Sequence, residues 1–277
     1  MKDKRILYVS SEVVPYLPET EIASTAFNVA KKAHSKGVQT RIFMPRFGVI
    51  NERRHQLHEV IRLSGMNLVV NDIDMPLIIK VASIPKERMQ VYFIDNDEYF
   101  PKRQMFDDLD GNFMTNNDER MIFYCKGVIE TVRKLGWAPD IIHCQGWFAS
   151  LVPMYIKKLY ADDPLFENVK VIYSVFDRSF DGVLSDTLPT KLLYERLEEA
   201  DVARIQESNI NNLHKFAVDY ADAIVQASSE KDKDVLAHIK SSEKPFMEYP
   251  GDEDYIDAYQ DFYSQFIEEE EVVTTVD

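Results

Sequence analysis

The spacing of apolar residues changes along the chain, and each change marks an element. Arg5–Ser10 (RILYVS) is a short, β-rich and nearly unbroken apolar run, the pattern of a strand buried on both faces. Ile22, Ala23, Ala26, Phe27, Ala30 and Ala33 then share one helical face and Gly37 follows as a stop, which predicts a helix over 21–36. Val38–Met44 predicts a second strand. Strand, helix and strand in this order open a doubly wound, Rossmann-like sheet.

Residues 57–95 break that alternation. VIRLSGMNLVV, PLIIKVAS and MQVYFID predict strands with no helix between them, a strand-rich insertion. Residues 96–116 are polar and aromatic without a period and predict a loop. Helix and strand periods then alternate again. Helix 118–135 is closed by Gly136, and strand Asp140–Cys144, helix 147–160 and strand Val169–Val175 follow. Helices 189–200 and 209–220, strand Ala223–Ala227 and helix Glu230–Ile239 complete the series, with no internal repeat. The fold class is therefore α/β, a mostly parallel sheet with helices on both faces.

The last segment has its own character. Tyr255, Ile256, Tyr259, Phe262, Tyr263, Phe266 and Ile267 form an apolar helical stripe with acids opposite. Residues 251–277 hold ten Asp or Glu and no Lys or Arg. The division expected is a domain over 1–250 and an acidic amphipathic helix and tail over 251–277. Two readings stand: a terminal helix docked on its own domain, or an acidic docking helix for a basic partner. Glu268–Glu271 sit at the carboxyl end of that helix, where its dipole disfavours them, so this end is expected to fray.

Charge and composition narrow the function. The formal charge of the 277 residues is −15, and removing the ten terminal acids leaves −5. That balance argues against nucleic acid or an anionic membrane as a general partner. No apolar run approaches the length of a membrane span, and the start lacks a signal-peptide layout. Two cysteines, Cys125 and Cys144, fit a reducing cytoplasm rather than a disulfide scaffold. The nine glycines stand apart with no G-x-G, so the chain has neither a P-loop nor a dinucleotide fingerprint, and no cofactor is expected. The six histidines show no metal spacing with the cysteines, and no metal site is expected.

Several motifs together carry a resemblance. ILYVSSEVVPY (6–16), RIFMPRFGVI (41–50), VYFIDNDEYF (91–100), LGWAPDIIHCQGWFASLVPMYIK (135–157) and YADAIVQASSE (220–230) stand in one order over residues 4–232. They resemble the N-terminal half of bacterial glycogen synthases and plant starch synthases, the family 5 glycosyltransferases. That resemblance implies one half of a GT-B fold, whose two Rossmann-like domains face each other across a cleft. In the family the first domain carries the acceptor-glucan side and the second holds most of the sugar nucleotide. The chain ends about where the second domain would begin, so the donor domain is expected to be absent. YIDAYQDFY also resembles the family's final helix, which crosses back onto the first domain.

The family's site, carried over position by position, is altered. Where it has Lys-Thr-Gly-Gly-Leu-Ala-Asp around the donor phosphates, this chain has Pro18, Glu19, Thr20, Glu21, Ile22, Ala23 and Ser24. The lysine is replaced by Pro18 and the glycines by Thr20 and Glu21, and a carboxylate there repels a pyrophosphate. The family's Asp-Trp-His reads Gly146, Trp147, Phe148, so an apolar ring replaces the histidine expected beside the reacting sugar. Asn116 replaces an aspartate, before the retained Asn117 and Arg120, and Phe176 and Asp177 replace a histidine and an asparagine.

Glu12, Asn117, Arg120, His143 and Trp147 remain as a candidate vestigial acceptor cleft. His143 is expected to end a strand at the carboxyl edge, where α/β sheets bind ligands. Trp147 either stacks on a sugar or packs, and Arg120 either pairs with an acid in the cleft or forms a structural ion pair. Tyr92, Phe93, Tyr99 and Phe100 are either a sugar platform or core.

The expectation is a synthase-like single domain that is a pseudoenzyme, binding α-glucan or a protein of glycogen metabolism. Two alternatives stay open: an active ADP-glucose-dependent synthase that uses a donor domain from another chain, and a structural adaptor acting through the acidic tail.

Overall fold

Strand β1 (Arg5–Ser10), helix α1 (Glu21–Ser35) and strand β2 (Gln39–Pro45) form the expected βαβ unit, with β1 and β2 parallel. The computed structural model describes residues 1–177, 180–229 and 232–267. Thr20 caps α1, its hydroxyl oxygen accepting from the Ala23 N–H at 3.1 Å. Ile22, Ala23, Ala26, Val29, Ala30 and Ala33 bury one face of α1 against the sheet.

A short helix α2 (Glu52–His55) leads into β3 (His58–Glu59), β4 (Met66–Val70), β5 (Ile73–Ser83) and β6 (Gln90–Asp95). β5 runs antiparallel to β3, β4 and β6, the strand-rich insertion that the alternating pattern predicts. Asn71 and Asp72 connect β4 to β5 with φ of +50° and +61°, the left-handed pair that a two-residue hairpin turn requires.

Helix α3 (Asn117–Leu135) ends on Gly136, whose N–H returns to the Arg133 and Val132 carbonyls. Asp118 and Glu119 occupy its first turn and Arg133 and Lys134 its last, the charge order that its dipole favours. β7 (Ile141–Gln145), α4 (Val152–Lys158) and β8 (Lys170–Val175) follow. Next come α5 (Leu188–Leu193), α6 (Glu199–Val202), α7 (Ile210–Tyr220) and β9 (Ala223–Gln226). α8 (Lys233–Ser241), β10 (Phe246–Met247) and α9 (Tyr255–Ile267) complete the described chain.

The sheet runs β10-β9-β8-β7-β1-β2-β6-β5-β3, with β4 on β5. From β10 to β6 every neighbour is parallel. The chain builds from β1 toward β6 and then returns to β7 on the other side, so the topological switch lies between β1 and β7. α1 covers one face, with α9 laid on it, and α3 and α4 cover the other. No helix of the described residues is long and apolar enough to cross a membrane.

Most boundaries shift by a residue or two from the sequence expectation, and three differences have a visible cause. The helix predicted over 147–160 is a 3-10 turn, Trp147–Ala149, followed by α4, which starts only at Val152 with Pro153 in its first turn. The helix predicted over 189–200 is split into α5 and α6, and Arg196 at φ +67° lies in the break. β7 begins one residue late because the Asp140 carboxylate accepts the Arg5 N–H at 2.7 Å. The predicted start of α8 at Glu230 lies outside the described residues, and so do Glu268–Glu271.

Candidate functional site

The carboxyl ends of β1 and β7 meet at the switch point, and the loops leaving them carry most of the candidate residues. Thr20 serves two segments there. It caps α1 and donates its hydroxyl to the Glu12 carboxylate at 2.9 Å. Glu12 is 1% exposed, and its carbonyl accepts from the Ser10 hydroxyl at 2.9 Å. Pro18 and Glu19 lie on the surface, where Glu19 accepts from the Ser24 hydroxyl at 3.2 Å. Glu21 accepts from the Ser228 hydroxyl, and Ser228 accepts the Asp177 N–H at 2.9 Å. The α1 start is thus bonded to the ends of β8 and β9. Phe176, at the end of β8, is buried.

Gly146 follows β7 at φ +73°, and a Cβ there would lie 3.1 Å from Ile22 Cδ1. Both the left-handed backbone and the approach of α1 favour glycine. Trp147 and Phe148 then turn inward, 3% and 0% exposed. The Phe148 ring stands 5.8 Å from Phe47, 5.4 Å from Phe106 and 5.4 Å from Tyr124, centre to centre. Trp147 packs on Phe106 at 5.0 Å and Phe180 at 4.9 Å. Aromatic rings therefore fill the ground beneath the switch point, and Trp147 is a packing residue rather than an open sugar platform.

Arg120 is fully buried and forms no ion pair with any described residue. Its Nε donates to the Tyr99 carbonyl and its Nη2 to the Met105 carbonyl, each at 2.5 Å, and Nη1 donates to the Asn117 amide oxygen. The guanidinium lies over the Phe47 and Phe100 rings. Neither ion-pair reading of Arg120 holds, because carbonyl oxygens occupy its fork. Burial lowers its pKa to about 10. Asn117 completes the tie by donating to the Phe106 carbonyl at 2.9 Å. Asn116, at the helix cap position, makes no side-chain cap bond.

His143 is the second departure. It lies in the middle of β7 rather than at its end, wholly buried beneath α9. Its Nε2 is 2.6 Å from the Ser174 hydroxyl and its Nδ1 is 2.7 Å from the Tyr263 hydroxyl. Burial lowers its pKa to about 3, so the ring is neutral. Glu12, Asn117, Arg120, His143 and Trp147 are all buried, and no open cleft exposes them. Tyr92, Phe93, Tyr99 and Phe100 are likewise core. Both cysteines are buried and free, and burial pushes their thiols up, away from nucleophilic chemistry.

A hollow of about 400 Å³ opens beside this filled edge. Glu19, Glu21 and Asp252 line it together with Tyr249, Tyr255 and Tyr259, and among the described residues its lining holds no Lys or Arg. Carboxylate acceptors and phenol rings suit a neutral, hydroxyl-rich ligand and oppose a phosphate. The Tyr249–Asp252 side of this hollow escaped the sequence reasoning, since those residues lie over 200 positions from Glu21 and share no motif with it. Tyr259 had a signal, its place in the terminal apolar stripe.

The chain is similar to known proteins in sequence and in fold. The family model of the starch synthase catalytic domain matches residues 5–243. The chain belongs to the starch synthase catalytic domain family. A glycogen synthase of Chlorobium luteolum is 35% identical over 236 residues, covering 85% of this chain and 48% of that protein. A glycogen synthase of Chlorobium limicola is 36% identical over 225 residues, covering 81% and 45%. The chain thus spans about half the length of the curated relatives it matches. In fold it is similar to the catalytic domain of starch synthase IV from Arabidopsis thaliana bound to ADP and acarbose. The TM-score is 0.71 at 14% identity, over 90% of this chain and 51% of that one. The fold is accordingly a single half of a GT-B fold.

Proposed function

We propose that this domain is a non-catalytic member of its family, a pseudoenzyme that keeps the scaffold and binds α-glucan. The observation that carries the reading is the buried Phe148 ring, packed among Phe47, Phe106, Tyr124 and Trp147 where the family resemblance expects a histidine beside the sugar. Glucosyl transfer with retention needs a polar group at an oxocarbenium-like centre and cations or N–H donors at the departing diphosphate. Phe148 supplies no polar group, and Pro18, Glu19 and Glu21 supply no cation. The hydroxyl-compatible hollow of tyrosines and carboxylates favours the glucan over the sugar nucleotide as ligand.

Two measurements on the full chain test this. Calorimetry should give binding heat with maltooligosaccharides and none with ADP, ADP-glucose or UDP-glucose. A radiolabelled glucosyl-transfer assay should stay at background, both alone and with cell extract supplying a donor domain. Transfer that depends on this chain would restore the enzyme reading. Silence with glucans would leave a protein of glycogen metabolism as the partner.

A further inference from the structure

A second and larger hollow, about 810 Å³, opens at the carboxyl ends of β2 and β6. Five cations line it, Arg46, Arg53, Lys80, Lys102 and Arg103, against two acids, Glu52 and Asp97. In a chain of formal charge −15 this is a local reversal of sign.

The cations form two layers. Arg46 and Lys80 are inner and neutralised. Arg46 Nε and Nη2 each lie 2.7 Å from Asp95 Oδ1, and Lys80 Nζ lies 2.9 Å from Asp95 Oδ2 and 2.9 Å from Glu52. Asp95 is 1% exposed, so this network is a fixed floor. Arg53, Lys102 and Arg103 form the exposed rim and make no ion pair among the described residues. The two lining acids are engaged by the inner cations, Glu52 by Lys80 at 2.9 Å and Asp97 by Arg46 at 3.9 Å.

The backbone holds the rim in place. The Arg103 N–H donates to the Gly48 carbonyl at 2.9 Å, and Gly48 and Lys102 form a parallel bridge. A Cβ on Gly48 would lie 1.7 Å from the Pro101 carbonyl oxygen, so only glycine lets the two loops meet this closely. On the other wall the Asn51 side chain caps α2 by accepting the Arg54 N–H at 3.0 Å, which sets the turn bearing Arg53. Cations on tied loops lose less freedom on binding than cations on mobile ones.

We propose that this hollow binds a phosphate group, either as inorganic phosphate or as a monoester carried on a sugar. Three rim cations with no ion pair among the described residues suit a compact dianion, and the planar forks of Arg53 and Arg103 match phosphate oxygens. The volume leaves room for a sugar ring behind the phosphate. The position is two strands from β7 and independent of the glucan reading.

Calorimetry on the full chain with inorganic phosphate, a phosphorylated monosaccharide and a phosphorylated maltooligosaccharide tests the assignment. Binding of any of the three is expected, weakening at least about tenfold between 0.05 and 0.5 M salt. The triple variant Arg53→Ala, Lys102→Ala, Arg103→Ala should lose at least about tenfold in affinity, because it removes the charged hydrogen bonds. Asp97→Asn should tighten binding about threefold by removing the more exposed of the two lining carboxylates. These four side chains are exposed, so the variants should keep the thermal midpoint of the parent. Sugar phosphates that bind where inorganic phosphate does not would place the sugar in the hollow too. No heat from any probe, or binding unchanged in the triple variant, overturns the proposal. Unphosphorylated maltooligosaccharides should bind parent and triple variant alike, so failure here and failure of the glucan reading are separable.

Discussion

The hydroxyl of Tyr263 lies 2.7 Å from Nδ1 of His143, joining the last helix of the described chain to the middle of its central sheet. One helical turn earlier, the Tyr259 hydroxyl lies 3.2 Å from the Ser174 hydroxyl, which is itself 2.6 Å from His143 Nε2. The spacing i, i+4 thus sets two phenols over neighbouring strands β7 and β8. A neutral imidazole has one N–H and one lone pair, so of Tyr263 and Ser174 one donates to the ring and the other accepts. The apolar stripe of α9 buries Phe262 and Ile267, and Gln260 donates to the Val29 carbonyl at 3.2 Å. This apolar face is consumed by the domain itself, which leaves an adaptor role only the acidic outer face.

Tyr263→Phe therefore keeps the packing and strips one buried nitrogen of its partner. Stability in urea should fall by about 1–3 kcal/mol, the cost of an unsatisfied buried polar group. Tyr255→Phe removes a half-buried hydroxyl that accepts from Asn28 at 2.7 Å. Its effect should be under about 1 kcal/mol, because water can replace the phenol. Equal losses at the two positions would remove the special role given to His143.

His143 also gives the fold an acid limit. Its folded pKa of about 3 lies below the ordinary histidine value of 6.5. Between those values the unfolded chain binds a proton that the native ring does not. Stability is therefore full above pH 6.5 and is lost as pH falls toward 3. At pH 4.5 this single ring should cost about 2–3 kcal/mol. Denaturation curves of parent and His143→Gln, compared at pH 7 and pH 4.5, isolate the histidine because the carboxylates are common to both. The variant should lose less stability over that interval, and parallel losses would contradict the assignment.

How much of this was readable in advance follows physical lines. β1, α1, β2 and α3 were legible because each is set by a local period and a local stop. β3 and β10 have two residues each and exist through pairing with β5 and β9, which leaves no period to detect. At the site, the changed positions Pro18, Glu21 and Phe148 could be named from motifs. What surrounds them could not, since Phe106 and Phe180 come from aperiodic loops. Tyr263 was legible as an apolar stripe residue, but the partner of its hydroxyl lies 120 positions away. Arg120 looked like half of an ion pair because sequence shows charges and does not show carbonyls.

Arg120 holds the long loop over 96–116 from beneath through the Tyr99 and Met105 carbonyls. Arg120→Lys keeps the charge and loses the fork, so one compact ammonium must serve three acceptors, two in the loop and one on α3. A loss of about 2–4 kcal/mol is expected, with faster proteolytic cleavage inside 96–116. Cleavage there at the parent rate would show that the loop is held by its aromatic packing alone.

Phe148→His restores the residue type that the family resemblance expects, and it separates a lost activity from a hidden one. The neighbouring rings offer one hydroxyl, that of Tyr124, and it already bonds the Ser10 and Phe43 carbonyls at 2.9 Å each. An imidazole buried there lacks a free partner and should cost about 2–4 kcal/mol, read from the urea midpoint. Glucosyl transfer from ADP-glucose should stay at background in the variant, since Glu19 and Glu21 still oppose the diphosphate. A gain of transfer on this one substitution would mean that the donor side is intact, and the non-catalytic reading would fall.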